Sequence, residues 1–367
     1  MKLICEGLDL SDAVMKVLKA TALKTTNPIL EGIKLKAIND RLILSATDLE
    51  LSIEKTINAD VKIEGEAVVP GKFFVDFVKK LSNEKIELTL GDNKLLKIKY
   101  TDSEGFIQCL NDEEFPILKT ITSPEYFSIK KNDLRDIINE TIFSAAIDDS
   151  RPILKGCKFE VSKDNLTVVA IDGFRLALVK KPIENVSAEM GFVVPARSLS
   201  EISKILDDSE DFVKIYVQRN YIMVDLIDTK IMTRLLDGDF INHQNVIPTS
   251  FDTVITINKR QLEDGLERAS LLARLDKNNK VIFEIKDKLL TLTSTSDIGN
   301  IKENISISLQ GKDLSIAFNA KYFSECTKNI SDEFIKINFS SAIAPCTITS
   351  TENNEFLYLI LPVRILK

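Results

Sequence analysis

The stretch LILSATDLELSIEK, residues 42–55, decides the fold because the chain repeats it as LTVVAIDGFRLALVK at 166–180 and, more loosely, as LTLTSTSDIGNIKEN at 290–304. In each copy an apolar run meets an aspartate, and Asp48, Asp172 and Asp297 stand 124 and 125 residues apart. Asp172-Gly173 reads first as the turn of a hairpin, since Asp-Gly tolerates the positive φ angles of tight turns. A catalytic carboxylate would need its partner at one copy only. Aspartates recurring in all three copies behave as turn residues do.

Other segments share the register. NPILEGIKLKA (27–37) aligns with RPILKGCKFEV (151–161), and KVIFEIKD (280–287) is a divergent third copy. VVPGKFFVDFVKKL (68–81), VVPARSLSEISKIL (193–206) and AFNAKYFSECTKNI (317–330) form another triplet, and LNDEEFP (110–116) answers LLDGDFI (235–241). Copies of about 125 residues are domains, not solenoid units. Three similar α+β domains are expected at 1–122, 123–248 and 249–367, each with two helices and about eight strands. The first helix of each copy carries apolar residues at helical spacing after a cap candidate, Ser11, Asn132 or Asn258.

Composition removes several kinds of chemistry. Apolar residues make up 44% and charged residues 28%, which is globular. Five scattered cysteines without a CxxC pair, a single histidine (His243) and no tryptophan leave little from which to build a zinc site, a disulfide framework or a His-dependent nucleophile. No metal or cofactor is expected. No apolar run reaches the roughly 18 residues of a membrane helix and the N-terminus lacks a secretory pattern, so a cytoplasmic protein is expected, with no membrane partner.

The second helix of each copy carries two patterns. Phe74, Phe77 and Leu81 align with Leu199, Ile202 and Leu206 and with Phe323, Cys326 and Ile330, an i, i+3, i+7 stripe expected to pack on the sheet. Lys72 and Lys79, Arg197 and Lys204, and Lys321 and Lys328 are basic pairs at i, i+7, nearly superposed after two turns. One such pair reads as a solvated face. Three coincident pairs in a chain of formal charge −7 suit a polyanion contacted without base reading. A carboxylate-dependent hydrolase and a peptide-binding scaffold without DNA stand as the competing classes. Neutral residues at the ridge positions would have favoured the scaffold.

The segments NPIL (27–30), ATDLE (46–50), IDGFRLA (171–177), VVPARSL (193–199) and LPVRI (361–365), taken in order, resemble the bacterial DNA polymerase III beta subunits, the sliding clamps. The resemblance covers the whole chain. It implies three clamp domains per chain and a head-to-tail homodimer closing a six-domain ring, with helices lining the hole. Such a ring encircles double-stranded DNA without sequence preference, is not an enzyme, and tethers DNA polymerase, the clamp loader and repair proteins through short linear peptides.

Carried over residue by residue, DNA contact falls on Lys24, Lys72 and Arg197, and the repeated i, i+7 spacing adds Lys79, Lys204, Lys321 and Lys328. The peptide groove falls on Leu154, Ile171, Gly173, Phe174, Arg175, Leu176, Val246, Ile360, Leu361, Pro362, Val363 and Arg364. The dimer contact sets Phe77 and Phe106 against Leu271 and Leu272. The chain departs from the family at Asp148, a poor phosphate contact, at Pro152, Ile153, Phe174 and Asn245 around the groove, and in the extension Ile365-Leu366-Lys367.

Overall fold

The computed structural model describes the chain except for residues 23, 119–120, 122–123, 276–277 and 365–367, so the terminal extension lies outside the described residues. Among the described residues there are six α-helices: α1 (Gly7–Val17), α2 (Gly71–Val78), α3 (Lys131–Ile142), α4 (Ala196–Ser203), α5 (Lys259–Ala273) and α6 (Ala320–Thr327). Each sequence copy supplies two of them. The strands form four antiparallel sheets of five, eight, nine and four strands.

The chain divides into two compact units, residues 1–131 with 204–235 and residues 132–203 with 236–367. Neither coincides with a sequence copy, because strands pair across the copies. In the first unit the strands Tyr126–Lys130, Phe212–Gln218, Tyr221–Asp225 and Thr229–Arg234 continue directly into Leu51–Asn58, Arg41–Thr47, Gly32–Ile38 and Gly65–Pro70. In the second, Met190–Pro195, Gly156–Val161, Asn165–Ile171 and Arg175–Pro182 continue into Phe356–Ile360, Cys346–Ser350, Phe334–Phe339, Thr253–Asn258 and Ser308–Gly311. Each large sheet therefore has a seam at which two copies meet by ordinary antiparallel hydrogen bonding.

At the first seam Ile53 lies opposite Ile231 and Leu51 opposite Thr233, and all four are buried on the face that carries α1. Burying a side chain of the Ile or Leu kind contributes roughly 1.5–3 kcal/mol, so this seam is a core and not a docking contact. Lys55 is buried on the same face, and its Nζ lies 2.6 Å from Asp228 Oδ2 across the seam. Lys55 and Thr229 hold the Asp228 carboxyl below its usual range although burial acts the other way.

The repeated aspartates are turn-makers in the first two copies. Asp48 Oδ1 accepts from the amides of Glu50 and Leu51 at 3.0 and 2.8 Å, and Asp172 Oδ1 accepts from those of Phe174 and Arg175 at 2.8 and 3.0 Å. The residue after each aspartate has a positive φ, 77° at Leu49 and 92° at Gly173. A side chain there is strained by backbone geometry, whereas space is not limiting, because a Cβ at Gly173 would meet nothing within 4 Å.

Two local expectations are corrected. Helix α1 starts at Gly7, four residues before Ser11, which is buried inside it; Gly7 allows this early start because a Cβ would lie 2.1 Å from the Leu81 carbonyl oxygen. Asn258 does cap α5, accepting from the Gln261 amide at 3.1 Å, while Asn132 falls within α3. In α2 the buried stripe is Phe74, Val75 and Val78, continued by Leu81. Phe77 is only half-buried: it stacks on Phe73 and meets Tyr100 edge-on, so it covers the side of the sheet and not its centre.

Two outcomes are expected. Gly173→Ala should lower stability by about 1 kcal/mol in urea titration, and Leu49→Gly should not lower it despite the lost side chain, since each exchange changes mainly a left-handed backbone residue. On α3, burial first, then the charges of Asp136, Glu355 and Asp133, push the Glu140 carboxyl up to about 7 against the pull of Lys181. A carboxyl raised in the folded state favours folding at low pH, and that contribution is lost as pH rises through about 7. Glu140→Gln should therefore raise the melting temperature at pH 8 and leave it unchanged at pH 4.

Candidate functional site

The six ridge residues, Lys72, Lys79, Arg197, Lys204, Lys321 and Lys328, are all exposed, as is Lys24. The first of each pair sits in the first turn of a short helix, with the second just beyond its C-terminal end. A cation in the first turn opposes the helix dipole by about 0.3–1 kcal/mol at a surface site, whereas one past the last turn is favoured. Helix stability thus accounts for Lys79, Lys204 and Lys328 but not for Lys72, Arg197 and Lys321. The pair on α6 is partly neutralised, since Lys321 Nζ lies 3.8 Å from Glu325. Asp148 is exposed and bonded to Ser150, whose hydroxyl and amide hold its carboxyl below the usual range.

The second seam divides the expected groove residues between its two faces. Ile171 and Leu176 join Val169, Leu178 and Leu359 in a buried cluster, and Phe240, Ile241, Ile247 and Leu357 pack against it. Val246, beside Ile247, stays 45% exposed. Arg175 and Ile360 are register partners whose side chains point to the opposite, helix-bearing face. Leu154 is buried in the short 3-10 turn Pro152–Lys155 that leads into Gly156–Val161 and includes Ile153. Asn245, in the turn His243–Asn245, is exposed.

Arg175 is 6% exposed and fully engaged. Its Nε donates to Asp172 Oδ2 at 3.0 Å, and its two terminal nitrogens donate to Glu325 on α6 and to the Phe143 carbonyl after α3. Its planar guanidinium lies over the Tyr322 ring at 4.7 Å and near the Phe143 ring at 5.5 Å. Phe174, 59% exposed, stacks on Tyr322 with centroids 6.2 Å apart. The turn 172–175 is thereby fixed to α6 by one buried ion-pair network and one aromatic stack. The Leu361 amide donates to the Phe174 carbonyl at 2.8 Å and the Val363 amide to that of Ala317 at 2.8 Å, which lays the segment 361–364 alongside the turn. Pro362 and Val363 are half-exposed and Arg364 is exposed.

Tyr322, Phe240, Ile241 and Ile247 escaped the sequence reading. The alternation of Ile171, Leu176 and Leu178 signalled an apolar face, but nothing local names the linker residues that cover it.

Nucleophilic chemistry has little to draw on here. Burial pushes the thiols of Cys5 and Cys157 up to about 12, and His243 is buried with its pKa lowered by desolvation. Among the described residues no group of three His, Cys, Asp or Glu side chains could hold a metal ion.

Three tandem α+β repeats, joined by sheets that run through the copy boundaries and each bearing a short basic helix, are the architecture of a clamp. The sequence profiles of the DNA polymerase III beta subunit match residues 1–119 (N-terminal domain), 128–242 (central domain) and 244–364 (C-terminal domain). The chain is 34% identical over 365 residues to the beta sliding clamp of Halalkalibacterium halodurans, covering 96% of both, and 31% identical over 357 residues to that of Staphylococcus epidermidis, covering 95% of both. Its fold matches the DNA polymerase sliding clamp of Bacillus subtilis with a TM-score of 0.96 at 31% identity, and the Thermotoga maritima DNA polymerase III beta subunit with 0.93 at 30%, over the full length of each chain. The chain belongs to the bacterial DNA polymerase III beta subunit family, the beta sliding clamps.

Arg175→Ala should cost about 3–5 kcal/mol in denaturant unfolding, because Asp172 and Glu325 would keep their charges in a poorly hydrated site. Arg175→Lys should recover only part of this, since an ammonium cannot reach three acceptors while lying flat on Tyr322.

Proposed function

We propose that this chain forms a head-to-tail homodimeric ring that encircles double-stranded DNA and tethers partner proteins to it, acting in the cytoplasm as a non-catalytic processivity factor. The observation that carries the reading is an unpaired repeat of the seam. The strands Leu51–Asn58 and Arg175–Pro182 each pair with the last strand of another copy, Thr229–Arg234 and Phe356–Ile360. Their counterparts Gly299–Ser306 and Ser103–Gln108 are sheet edges, each paired on one side only, with no strand on the outer side among the described residues. Unpaired edges are ready-made pairing templates, and a second copy supplies the complement to each.

The side chains beside these edges support the same contact. Phe106 on one edge strand, with Phe73 on α2, and Leu271 and Leu275 at the end of α5, are exposed large apolar residues. Phe77 and Leu272 are half-buried beneath them. Encirclement asks little of individual phosphate contacts. A net charge of −7 with an exposed pair of cations recurring at three equivalent helices favours DNA there over the rest of the surface.

Polymerases, the clamp loader and repair proteins would dock by short peptides at the surface formed by Phe174, Val246 and the segment 361–364 over the Leu176 cluster. An apolar patch with a braced turn at its rim suits one or two apolar anchors. Phe174, stacked on Tyr322, would favour an aromatic or flat side chain next to the anchor.

The test is retention on nicked circular DNA, loaded with a clamp loader, at salt high enough to suppress phosphate contacts. Retention on circles and escape after linearisation is the expected result, with the triple variant Lys72→Glu, Arg197→Glu, Lys321→Glu loading at least tenfold less. Equal escape from circular and linear DNA would overturn the proposal.

A further inference from the structure

The two seams are equivalent residue by residue, but one outward face is filled and the other is not. At the second seam Leu176 and Leu178 lie opposite Leu359 and Leu357, and at the first Ser52 and Glu54 lie opposite Met232 and Lys230. The register is secured by matching bonds at both ends. The Lys180 amide donates to the Glu355 carbonyl at 2.7 Å where the Thr56 amide donates to Asp228 at 2.8 Å. The Leu361 amide donates to Phe174 at 2.8 Å where the Arg234 amide donates to Glu50 at 2.9 Å.

Four leucines and the linker residues Phe240, Ile241 and Ile247 close the second seam. At the first seam a depression remains, lined by Ser52, Glu54, Lys230, Met223 and Met232 on the sheet and by Leu118 and Ile121 of the corresponding linker. Substituting serine and a charged pair for three leucines has opened it.

We propose that this depression is a second docking site, which takes the C-terminal residue of a partner polypeptide, an apolar side chain with its free carboxylate. Glu54 and Lys230 are direct cross-strand neighbours, yet neither forms an ion pair among the described residues. The pair presents an acceptor and a cation side by side at the rim of an apolar floor. A C-terminal residue carries the matching groups within one residue's length: a backbone N–H for Glu54, a carboxylate for Lys230 and an apolar side chain for the depression. An internal peptide segment would offer Lys230 only a carbonyl, and a bare anion would have neither an N–H for Glu54 nor a side chain for the depression. The thioethers of Met223 and Met232 adapt to side chains of different shape, so Leu, Met and Phe termini fit alike. The site stands on the seam geometry alone and would exist in a chain that never closed around DNA.

The chain has five methionines, so a methyl-¹³C-methionine NMR spectrum of the full-length protein resolves the two in the depression, identified with Met223→Leu and Met232→Leu. The probes are N-acetyl-Ser-Gly-Leu as the free acid, the same peptide as its amide, and free leucine. The free acid is expected to shift the Met223 and Met232 methyls saturably at up to about 5 mM, as suits a single small anchor. The amide and free leucine should bind at least fivefold more weakly, and the exposed-site variant Lys230→Glu should abolish the shift. Val246→Glu, at the other seam, should leave it unchanged. Absence of a shift at these two methyls, equal binding of acid and amide, preference for free leucine, or indifference to Lys230→Glu would each overturn the proposal.

Discussion

Everything in this chain depends on strand pairing across the copy boundaries. Leu51–Asn58 hydrogen-bonds to Thr229–Arg234, and Arg175–Pro182 to Phe356–Ile360, so neighbouring copies share a sheet instead of meeting at a surface. An interface between domains in one chain is ordinarily polar and mobile. Here its place is taken by a main-chain ladder with a buried apolar face, and an ion pair from the buried Lys55 to the exposed Asp228 crosses the same line. The same pairing leaves the outer sides of Gly299–Ser306 and Ser103–Gln108 unmatched among the described residues.

The second seam also shows how one joint gives its two faces different surroundings. Successive residues of a strand face opposite sides, so Leu176 and Arg175 are neighbours in sequence with separate roles. Leu176 joins the apolar floor over which Val246 and Leu361 lie exposed. Arg175, on the helix face, ties the turn that presents Phe174 to Glu325 on α6. Glu325 also lies near Lys321, so the helix that bears a ridge cation is the helix that braces the turn. The carbonyl of Phe143 completes the network from a third element. The floor is held from above by the linker and its rim from below by a buried cation.

Much of this was legible in the sequence because the copies remain in register. Asp48 and Asp172 announced turns, and the structure gives each the two amide contacts that a turn carboxylate makes. The basic pairs were legible because a seven-residue spacing on a helix has a single geometric meaning. The seams were not legible. Lys55 and Asp228 are 173 positions apart, and nothing local in either strand names the other. The sidedness of Arg175 was hidden for the same reason, since a strand's alternation separates two faces without saying which carries the helices. The place given to Phe77 in the buried stripe failed because three apolar residues, Phe74, Val75 and Val78, outcompete it there. Tyr322 and the linker residues act only through contacts that the fold creates.

Hydrogen exchange under mild denaturant, read by mass spectrometry, tests the central claim most directly. If each seam is a structural weld, peptides covering 51–58 and 229–234 must lose protection together, and those covering 175–182 and 356–360 must do so as a second pair, with the central copy split between them. Cooperative loss across residues 128–242 as one body, with 51–58 and 356–360 each keeping an independent protection, would contradict the account.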